Sequence, residues 1–248
     1  MRYFFEITYN GKNYSGWQSQ LTGIGVQSVV EESLSKLCRQ DVKIQGSGRT
    51  DTGVHCEQQF FHADIDMEFE PAALVQRMNS FLPLDIAIRS IRAVKSDISA
   101  RHDAVERTYQ YRITRKKNPL LIGLAWHYFK PVDIDRMNEA AAFLLGEHDY
   151  ECFSKVKTQV NHFLCDIRKA DWKQEGDLLI FTITANRFLR GMVRAIVGTL
   201  LNVGNGKTSM KEFQSIIQSR DRKKAGANVP PYALYLTKVK YPAGVFIR

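Results

Sequence analysis

The sequence has few cysteines and no long apolar run. Its 248 residues include four cysteines, none in a CxxC pair, so a disulfide framework and a thiolate zinc site are both poorly supported. The apolar runs fall far short of the roughly 18 to 20 residues that cross a bilayer, and the first residues lack the apolar core of a secretory signal. We therefore predict free thiols at Cys38, Cys56, Cys152 and Cys165, no membrane segment and a cytoplasmic location.

Acidic residues are also under-represented relative to basic ones. The chain has 35 lysines and arginines against 26 acidic residues, a formal charge of +9. This imbalance favours a polyanionic partner such as a nucleic acid, without identifying it. The length suits one large domain or two of roughly 100 to 150 residues, and we expect two fused lobes.

Periodicity predicts a regular element order in the first hundred residues. Apolar residues alternate over 3–9, recur at helical spacing over 26–39, and alternate again around 41–45 and 58–66. A helix led by Pro71 and a strand over 85–94 follow. This order of strand, helix, strand, strand, helix, strand is that of a ferredoxin-like or RRM-like unit.

The second half repeats this order approximately. The patterns predict a strand over 107–113, a helix over 137–144 closed by Gly146, and extended runs at 164–172 and 178–185. An amphipathic helix is predicted from about Phe188 to Val203, with Arg190 and Arg194 on one side. A capping box at Ser209 opens a short helix, and a strand over 235–241 closes the chain.

The segment 46–55, Gly-Ser-Gly-Arg-Thr-Asp-Thr-Gly-Val-His, has the most distinctive composition in the chain. Its three glycines allow positive φ angles and close approach to a ligand, so Arg49 and Asp51 would be presented on a tight loop between strands. An ionised carboxylate on such a loop can act as a nucleophile or as a base. An ordinary glycine-rich turn, with the aspartate capping the backbone, is the alternative.

This segment closely resembles the catalytic loop of the tRNA pseudouridine synthase A family. Further matches follow in the family's order and cover nearly the whole length: 14–20 (Tyr-Ser-Gly-Trp-Gln-Ser-Gln), 79–83, Ala100–Arg101, 107–111 (Arg-Thr-Tyr-Gln-Tyr), 146–150 and 188–194 (Phe-Leu-Arg-Gly-Met-Val-Arg). The sequence departs from the family pattern at His102, at Gly191 and in 230–236, which lacks a common glycine. None of these departures is at Arg49, Asp51, Tyr109 or Arg194.

The resemblance implies an enzyme that isomerises uridine to pseudouridine in the anticodon arm of tRNA, at positions 38, 39 and 40. It implies that Asp51 is the catalytic carboxylate, that Arg194 pairs with it, and that Tyr109 packs on the uracil and is a candidate to remove the C5 proton. Arg49 would enter the stem where the base leaves, because a uridine inside a stem must be unstacked to reach a carboxylate. No atoms are gained or lost, so no cofactor, metal or nucleotide is expected.

The resemblance also implies the architecture and the partners. We expect an α+β protein of two fused ferredoxin/RRM-like lobes, 1–104 and 105–248, whose mainly antiparallel sheets meet in a central cleft, as in the pseudouridine synthase fold. The working unit would be a homodimer that binds tRNA. Candidate substrate-binding residues are Gln18, Gln20, Arg101, Arg107, Arg112 and Arg187.

Three other interpretations are weaker. The His55-Cys56-Glu57 run is similar to the His-x-Glu of zinc nucleobase deaminases, but the Pro-Cys-x-x-Cys partner is missing. The Gly206-Lys207-Thr208 run resembles the end of a phosphate loop, but it follows a predicted helix and not a strand. A non-catalytic RNA-binding protein of two RRM-like lobes would fit the charge, but neither half carries the aromatic RNP signature.

Overall fold

The computed structural model describes residues 1–18, 23–156 and 160–247. Helices and strands are interspersed along the chain, which confirms the predicted α+β class. In chain order they are β1 (Arg2–Tyr9), α1 (Val26–Cys38), β2 (Ile44–Gly46), β3 (His55–Asp64), α2 (Pro71–Phe81), β4 (Ile86–Ala93), β5 (Glu106–Thr114), β6 (Trp126–His127), α3 (Ile134–Ala142), β7 (Gly146–Asp149), β8 (Leu164–Glu175), β9 (Leu178–Ala185), α4 (Met192–Gly204), α5 (Met210–Ser219) and β10 (Leu234–Lys240).

These elements form two compact units. The first comprises residues 1–106 together with 235–248, and the second comprises 107–234. The closing segment therefore belongs with the first unit, whereas the division into lobes at residues 104 and 105 stays a prediction. Among the described residues, no helix is both long and apolar enough to span a membrane.

The sheet of the first unit has the strand order β4-β1-β3-β10, and β2 also pairs with β3. All of these pairings are antiparallel except that of β10, which runs parallel to β3 and places Tyr235 opposite His55. The rings of Phe5 and Phe61 stack at 4.8 Å between the central strands. Helices α1 and α2 pack on each other, and α2 lies along β4, so the apolar faces predicted from periodicity are buried.

The sheet of the second unit has the order β5-β9-β8-β7, and the two-residue β6 runs parallel to β5. Helix α3 packs on β8 and on α4. The two helices approach closely at Gly204, where a Cβ atom would lie 2.5 Å from the sulfur of Met137. Helix α4 is buried along most of its length, so it forms the centre of this unit and positions the side chains of its first turn.

The start of α4 differs from the prediction of a helix from about Phe188. The helix begins at Met192, because Gly191 has φ 73°, a left-handed conformation that an α-helix cannot include. Arg190 therefore lies before the helix, and its predicted place beside Arg194 on one helical face is wrong. Gly146, predicted to close a helix, also has a positive φ, but it opens β7 four residues after α3 ends.

One buried histidine makes the stability of the first unit dependent on pH. His62 is 9% exposed, and its Nδ1 accepts a hydrogen bond from the backbone N–H of Ala100 at 3.0 Å. Burial lowers the pKa of His62 below its ordinary value of 6.5; Arg2 and His102 lower it further, and Asp64 opposes them. Because the unfolded chain then binds a proton more readily than the folded one, stability falls as the pH drops through 6.5.

We expect His62→Gln to flatten this dependence. Urea unfolding of wild type should show the midpoint falling between about pH 7 and pH 5, as the imidazole becomes protonated. The midpoint of the variant should fall less over the same interval. His127→Gln, which changes an exposed histidine, is the matched control and should follow wild type. If the urea midpoints of wild type and His62→Gln changed in parallel with pH, a group other than His62 would be responsible for the pH dependence.

Candidate active site

The loop between β2 and β3 presents two charged side chains on a buried base. Ser47, Thr50 and Val54 are at most 7% exposed, whereas Arg49 is exposed and Asp51 is half-buried. Gly53 has φ 78°, and the Val54 N–H closes the turn on the carbonyl of Asp51 at 3.1 Å. The predicted turn therefore displays Arg49 and Asp51, with Thr52 also exposed, while its buried side chains anchor it.

The segment after β1 clamps this loop. The Trp17 N–H donates to the carbonyl of Thr50 at 3.3 Å, and a Cβ atom on Gly16 would lie 2.3 Å from that same oxygen. A Cβ atom on Gly11 would lie 2.0 Å from the carbonyl oxygen of Val54. Any side chain at either glycine would displace the loop. The glycines of this segment thus allow backbone to pack directly on the backbone that carries Asp51.

Trp17 is a structural anchor and not a surface contact. It is 2% exposed, and its ring lies 6.0 Å from that of Phe61 and 6.2 Å from that of Tyr9. The adjacent Gln18 is exposed, in keeping with its predicted role as a contact residue. Gln20, the other predicted glutamine, lies outside the described residues.

In the second unit, the loop between β9 and α4 gathers three of the predicted residues. Tyr109, opposite Ile183 in the sheet, meets the ring of Phe188 at 5.1 Å and 86°. The guanidinium of Arg107 donates to the carbonyl of Asn186 at 2.8 Å, and that of Arg187 lies 3.2 Å from the ring nitrogen of His162. All three predicted side chains are half-buried: Arg107 and Tyr109 on β5, and Arg187 on the loop. The strand and the loop together therefore present an aromatic ring and two cations at the surface.

Arg194 lies in the first turn of α4 and is half-buried. Its Nε donates to the carbonyl of Val229 at 2.7 Å, and the hydroxyl of Tyr111 donates to the next carbonyl, that of Pro230, at 3.0 Å. Burial raises the pKa of Tyr111, so this phenol is a neutral donor. The guanidinium is therefore held at one edge by a fixed backbone segment.

The remaining predicted contacts lie on the surface of their own units. Arg101 is exposed on a turn whose geometry is fixed by Ser99: the Oγ of Ser99 accepts from the N–H of Arg101 at 3.3 Å. Arg112 is half-buried and donates to the side chain of Gln110 at 3.1 Å. The first unit thus brings Arg49 and Asp51 together, and the second brings Tyr109, Arg107 and Arg187 together. The pairing of Asp51 with Arg194 stays a prediction.

The structure removes the zinc and phosphate-loop alternatives. His55 is 2% exposed, and its Nδ1 accepts from the Gly11 N–H at 3.0 Å, so it serves to fix the backbone. The described part of the chain contains no group of three histidine, cysteine or acidic side chains arranged to hold a metal ion. Lys207 and Thr208 both bond through their N–H groups to the carbonyl of Asn202 at the end of α4, and the segment follows a helix, whereas a phosphate loop follows a strand and turns its N–H groups to the phosphates.

Two residues beneath the loop were not predicted from the sequence. Gln59 is fully buried in β3, and its side chain bonds to the carbonyl of Gly48 and to the hydroxyl of Tyr9. Tyr9, at the end of β1, also bonds to the hydroxyl of Thr50. Tyr9 was expected only as one of the alternating apolar positions of the first strand, and Gln59 only as part of an extended run.

A family model described as tRNA pseudouridine synthase matches residues 7–103 and 140–242, which is well over half of the chain. The chain belongs to the tRNA pseudouridine synthase family. The first matched segment carries Arg49 and Asp51, and the second carries Arg194. The candidate residues Arg107, Tyr109 and Arg112 lie between the two segments. Members of this family are isomerases, so the predicted class of enzyme is confirmed, and the passive RNA-binding alternative is set aside.

Curated relatives of the same family match the sequence of this chain over nearly their full length. The tRNA pseudouridine synthase A of Porphyromonas gingivalis is 47% identical over 99% of this chain and 99% of its own length. That of Parabacteroides distasonis is 45% identical over 99% and 98%. A more divergent relative of the same name, from Exiguobacterium sibiricum, is 35% identical over 97% of both chains.

Proposed function

We propose that this pseudouridine synthase isomerises uridine in the anticodon arm of tRNA, at the adjacent positions on its 3′ side, and that Asp51 is its catalytic carboxylate. The observation that carries the proposal is the loop itself: Ser47, Thr50 and Val54 are buried beneath it, while the charged side chains of Arg49 and Asp51 remain at the surface. A carboxylate that must meet a nucleoside has to be both fixed and accessible.

The reaction breaks the bond between ribose C1′ and uracil N1 and re-forms the link through C5. Asp51 acts on the nucleoside either as a nucleophile or as a base toward a ribose proton. The detached base turns, C5 bonds to C1′ as any bond between Asp51 and the nucleoside breaks, the C5 proton passes to a base, and N1 takes up a proton. Because the product is an isomer of the substrate, the electrons and all heavy atoms balance within the nucleoside.

The other proposed roles belong to side chains from both units. Tyr109 stacks on the uracil and assists removal of the C5 proton, and its perpendicular contact with Phe188 supports a fixed ring orientation. Arg194 keeps Asp51 ionised, since a guanidinium stabilises a partly desolvated carboxylate. Arg49, exposed at the tip of the loop, occupies the gap left by the everted base.

Binding of the tRNA backbone is assigned to the surface cations Arg101, Arg107, Arg112 and Arg187, with Gln18 and Gln20 as polar contacts. The net charge of +9 supports an electrostatic footprint on RNA. We further propose a homodimer in the cytoplasm as the working form. Size-exclusion chromatography with light scattering, with and without tRNA, would measure the oligomeric state; a monomer under both conditions would contradict the dimer.

The function is tested by release of tritium from tRNA labelled at uridine C5. A transcript with uridines on the 3′ side of the anticodon arm should release tritium to water in the presence of the enzyme. A matched transcript with cytidines at those positions should release none. Equal release from both transcripts would place the target elsewhere in the tRNA, and no release from either would contradict the activity.

A further inference from the structure

A buried hydrogen-bond network lies directly beneath the loop that carries Asp51. Its centre is Gln59, which is 0% exposed and lies opposite the apolar Ile7 of β1. Tyr9, 4% exposed, contributes a hydroxyl that bonds to this side chain. Burying an amide without hydrogen-bond partners is strongly unfavourable, so a glutamine in this position needs its hydrogen bonds to be made.

The bonds run in one direction. The hydroxyl of Tyr9 donates to the Oε1 of Gln59 at 3.2 Å. A phenol has one proton to give, so in the 2.9 Å contact between Tyr9 and Thr50 the threonine hydroxyl is the donor. The Nε2 of Gln59 then donates to the carbonyl of Gly48 at 3.2 Å. A single chain of bonds therefore leads from Thr50 through Tyr9 and Gln59 to Gly48.

This chain closes around Arg49 and ends next to Asp51. Gly48 and Thr50 are the residues on either side of Arg49, and Thr50 immediately precedes Asp51. The carbonyl of Thr50 is also bound by the Trp17 N–H at 3.3 Å, and that of Asp51 by the Val54 N–H at 3.1 Å. The backbone is thus held on both sides of Arg49 and of Asp51.

We propose that Gln59 is a positioning residue for pseudouridine formation, acting with Tyr9 and Thr50 to fix the backbone of Arg49 and Asp51. The inference rests on the proposed catalytic role of Asp51. Gln59 is fully buried and so cannot touch the tRNA; it acts only through the loop. A displacement of the carboxylate by about 1 Å is enough to reduce the rate of the chemical step about 100-fold.

The test separates the chemical step from binding and from stability. Gln59→Met keeps the length of the side chain and removes its hydrogen bonds to Tyr9 and Gly48. Under single-turnover conditions, with enzyme in excess and the tRNA transcript saturated, its rate constant should fall about 100-fold. Its Kd for the transcript, measured by filter binding, should equal that of wild type, because all surface cations are retained.

Gln58→Met is the matched control. Gln58 is the preceding residue of the same strand and is half-buried; its amide donates to Glu6 at 2.9 Å and accepts from the Val239 N–H at 3.2 Å. This variant also loses two hydrogen bonds, so it should lower the thermal midpoint, but its bonds point away from the loop. It should therefore retain the wild-type single-turnover rate.

Two further comparisons identify the network, and the first of them does not depend on the folding of Gln59→Met. Thr50→Ser keeps the hydroxyl donor and should recover most of the rate that Thr50→Val loses. The double variant Tyr9→Phe/Gln59→Met should be no slower than the slower single variant, because residues that act through one network are not additive.

The possible outcomes distinguish this proposal from the one on which it rests. An active wild type with Gln59→Met as fast as Gln58→Met, or slowed only in proportion to weaker tRNA binding, would overturn the positioning role and leave the function of Asp51 intact. Equal rates for Thr50→Ser and Thr50→Val would overturn it as well. An inactive wild type, or an active Asp51→Asn variant, would instead overturn the proposed function.

Discussion

Replacing Asp51 by asparagine should abolish pseudouridine formation. Asparagine has the same shape and can keep the loop in place, but its amide cannot serve as a nucleophile toward the nucleoside or as a base toward a ribose proton. Loss of such a group lowers the rate of the chemical step by at least about 10⁴-fold. The measurement is tritium release from C5-labelled transcript at saturating enzyme, followed long enough to detect a residual rate.

The control for this prediction is a second aspartate on the same unit. Asp41→Asn removes an exposed carboxylate that pairs with Lys43 at 2.9 Å, so it changes the net charge by the same amount at the surface. It should release tritium at the wild-type rate, and both variants should bind the transcript at least as tightly as wild type. If Asp51→Asn remained within about tenfold of wild type, a different group would carry the chemistry.

The loop that carries Arg49 and Asp51 could be predicted because its signals are local. Three glycines among polar residues define a turn without reference to the rest of the chain, and charged side chains in a turn remain near solvent. The structure agrees for Arg49 and Asp51. The close approach of Gly11 and Gly16 to this loop is not local, since it depends on how the segment after β1 packs on residues that are dozens of positions away.

Gln59 could not be singled out from the sequence in the same way. Positions 59 to 63 of β3 are all buried, so both faces of the strand are covered here and an alternating pattern gives no clue to which polar side chain is satisfied. Only the positions of Tyr9 and Gly48 show what its amide binds. Likewise, no pattern predicts that β10 pairs in parallel with β3, because chain order does not determine which strands are neighbours.

The start of α4 shows where periodicity misleads. Phe188 and Leu189 continue the apolar spacing of the helix, and Leu189 is buried like a helical residue. However, the left-handed Gly191 separates them from the helix and places Arg194 in its first turn. Arg194 is held there by a segment distant in the chain, since its Nε donates to the carbonyl of Val229.

Replacing Arg194 by methionine should give the second largest loss of activity. Its guanidinium is fixed by the bond from Nε to the carbonyl of Val229, and Tyr111 fixes the adjacent carbonyl. The cation is therefore already in position before the reaction and needs no reorganisation during it. Removing a preorganised charge of this kind lowers the rate of the chemical step about 100- to 1,000-fold. Single-turnover rates at saturating enzyme measure this loss separately from tRNA binding.

Two variants distinguish an ion-pairing role from a general need for positive charge. Arg194→Lys should recover only part of the lost rate, because an ammonium group lacks the planar fork that can bind the Val229 carbonyl and a carboxylate together. Arg190→Met removes an exposed arginine from the loop before the helix and should weaken tRNA binding without slowing the chemical step. If Arg194→Met behaved like Arg190→Met, with weaker binding and an unchanged rate, Arg194 would serve as a phosphate contact, and Asp51 would need another source of stabilisation for its charge.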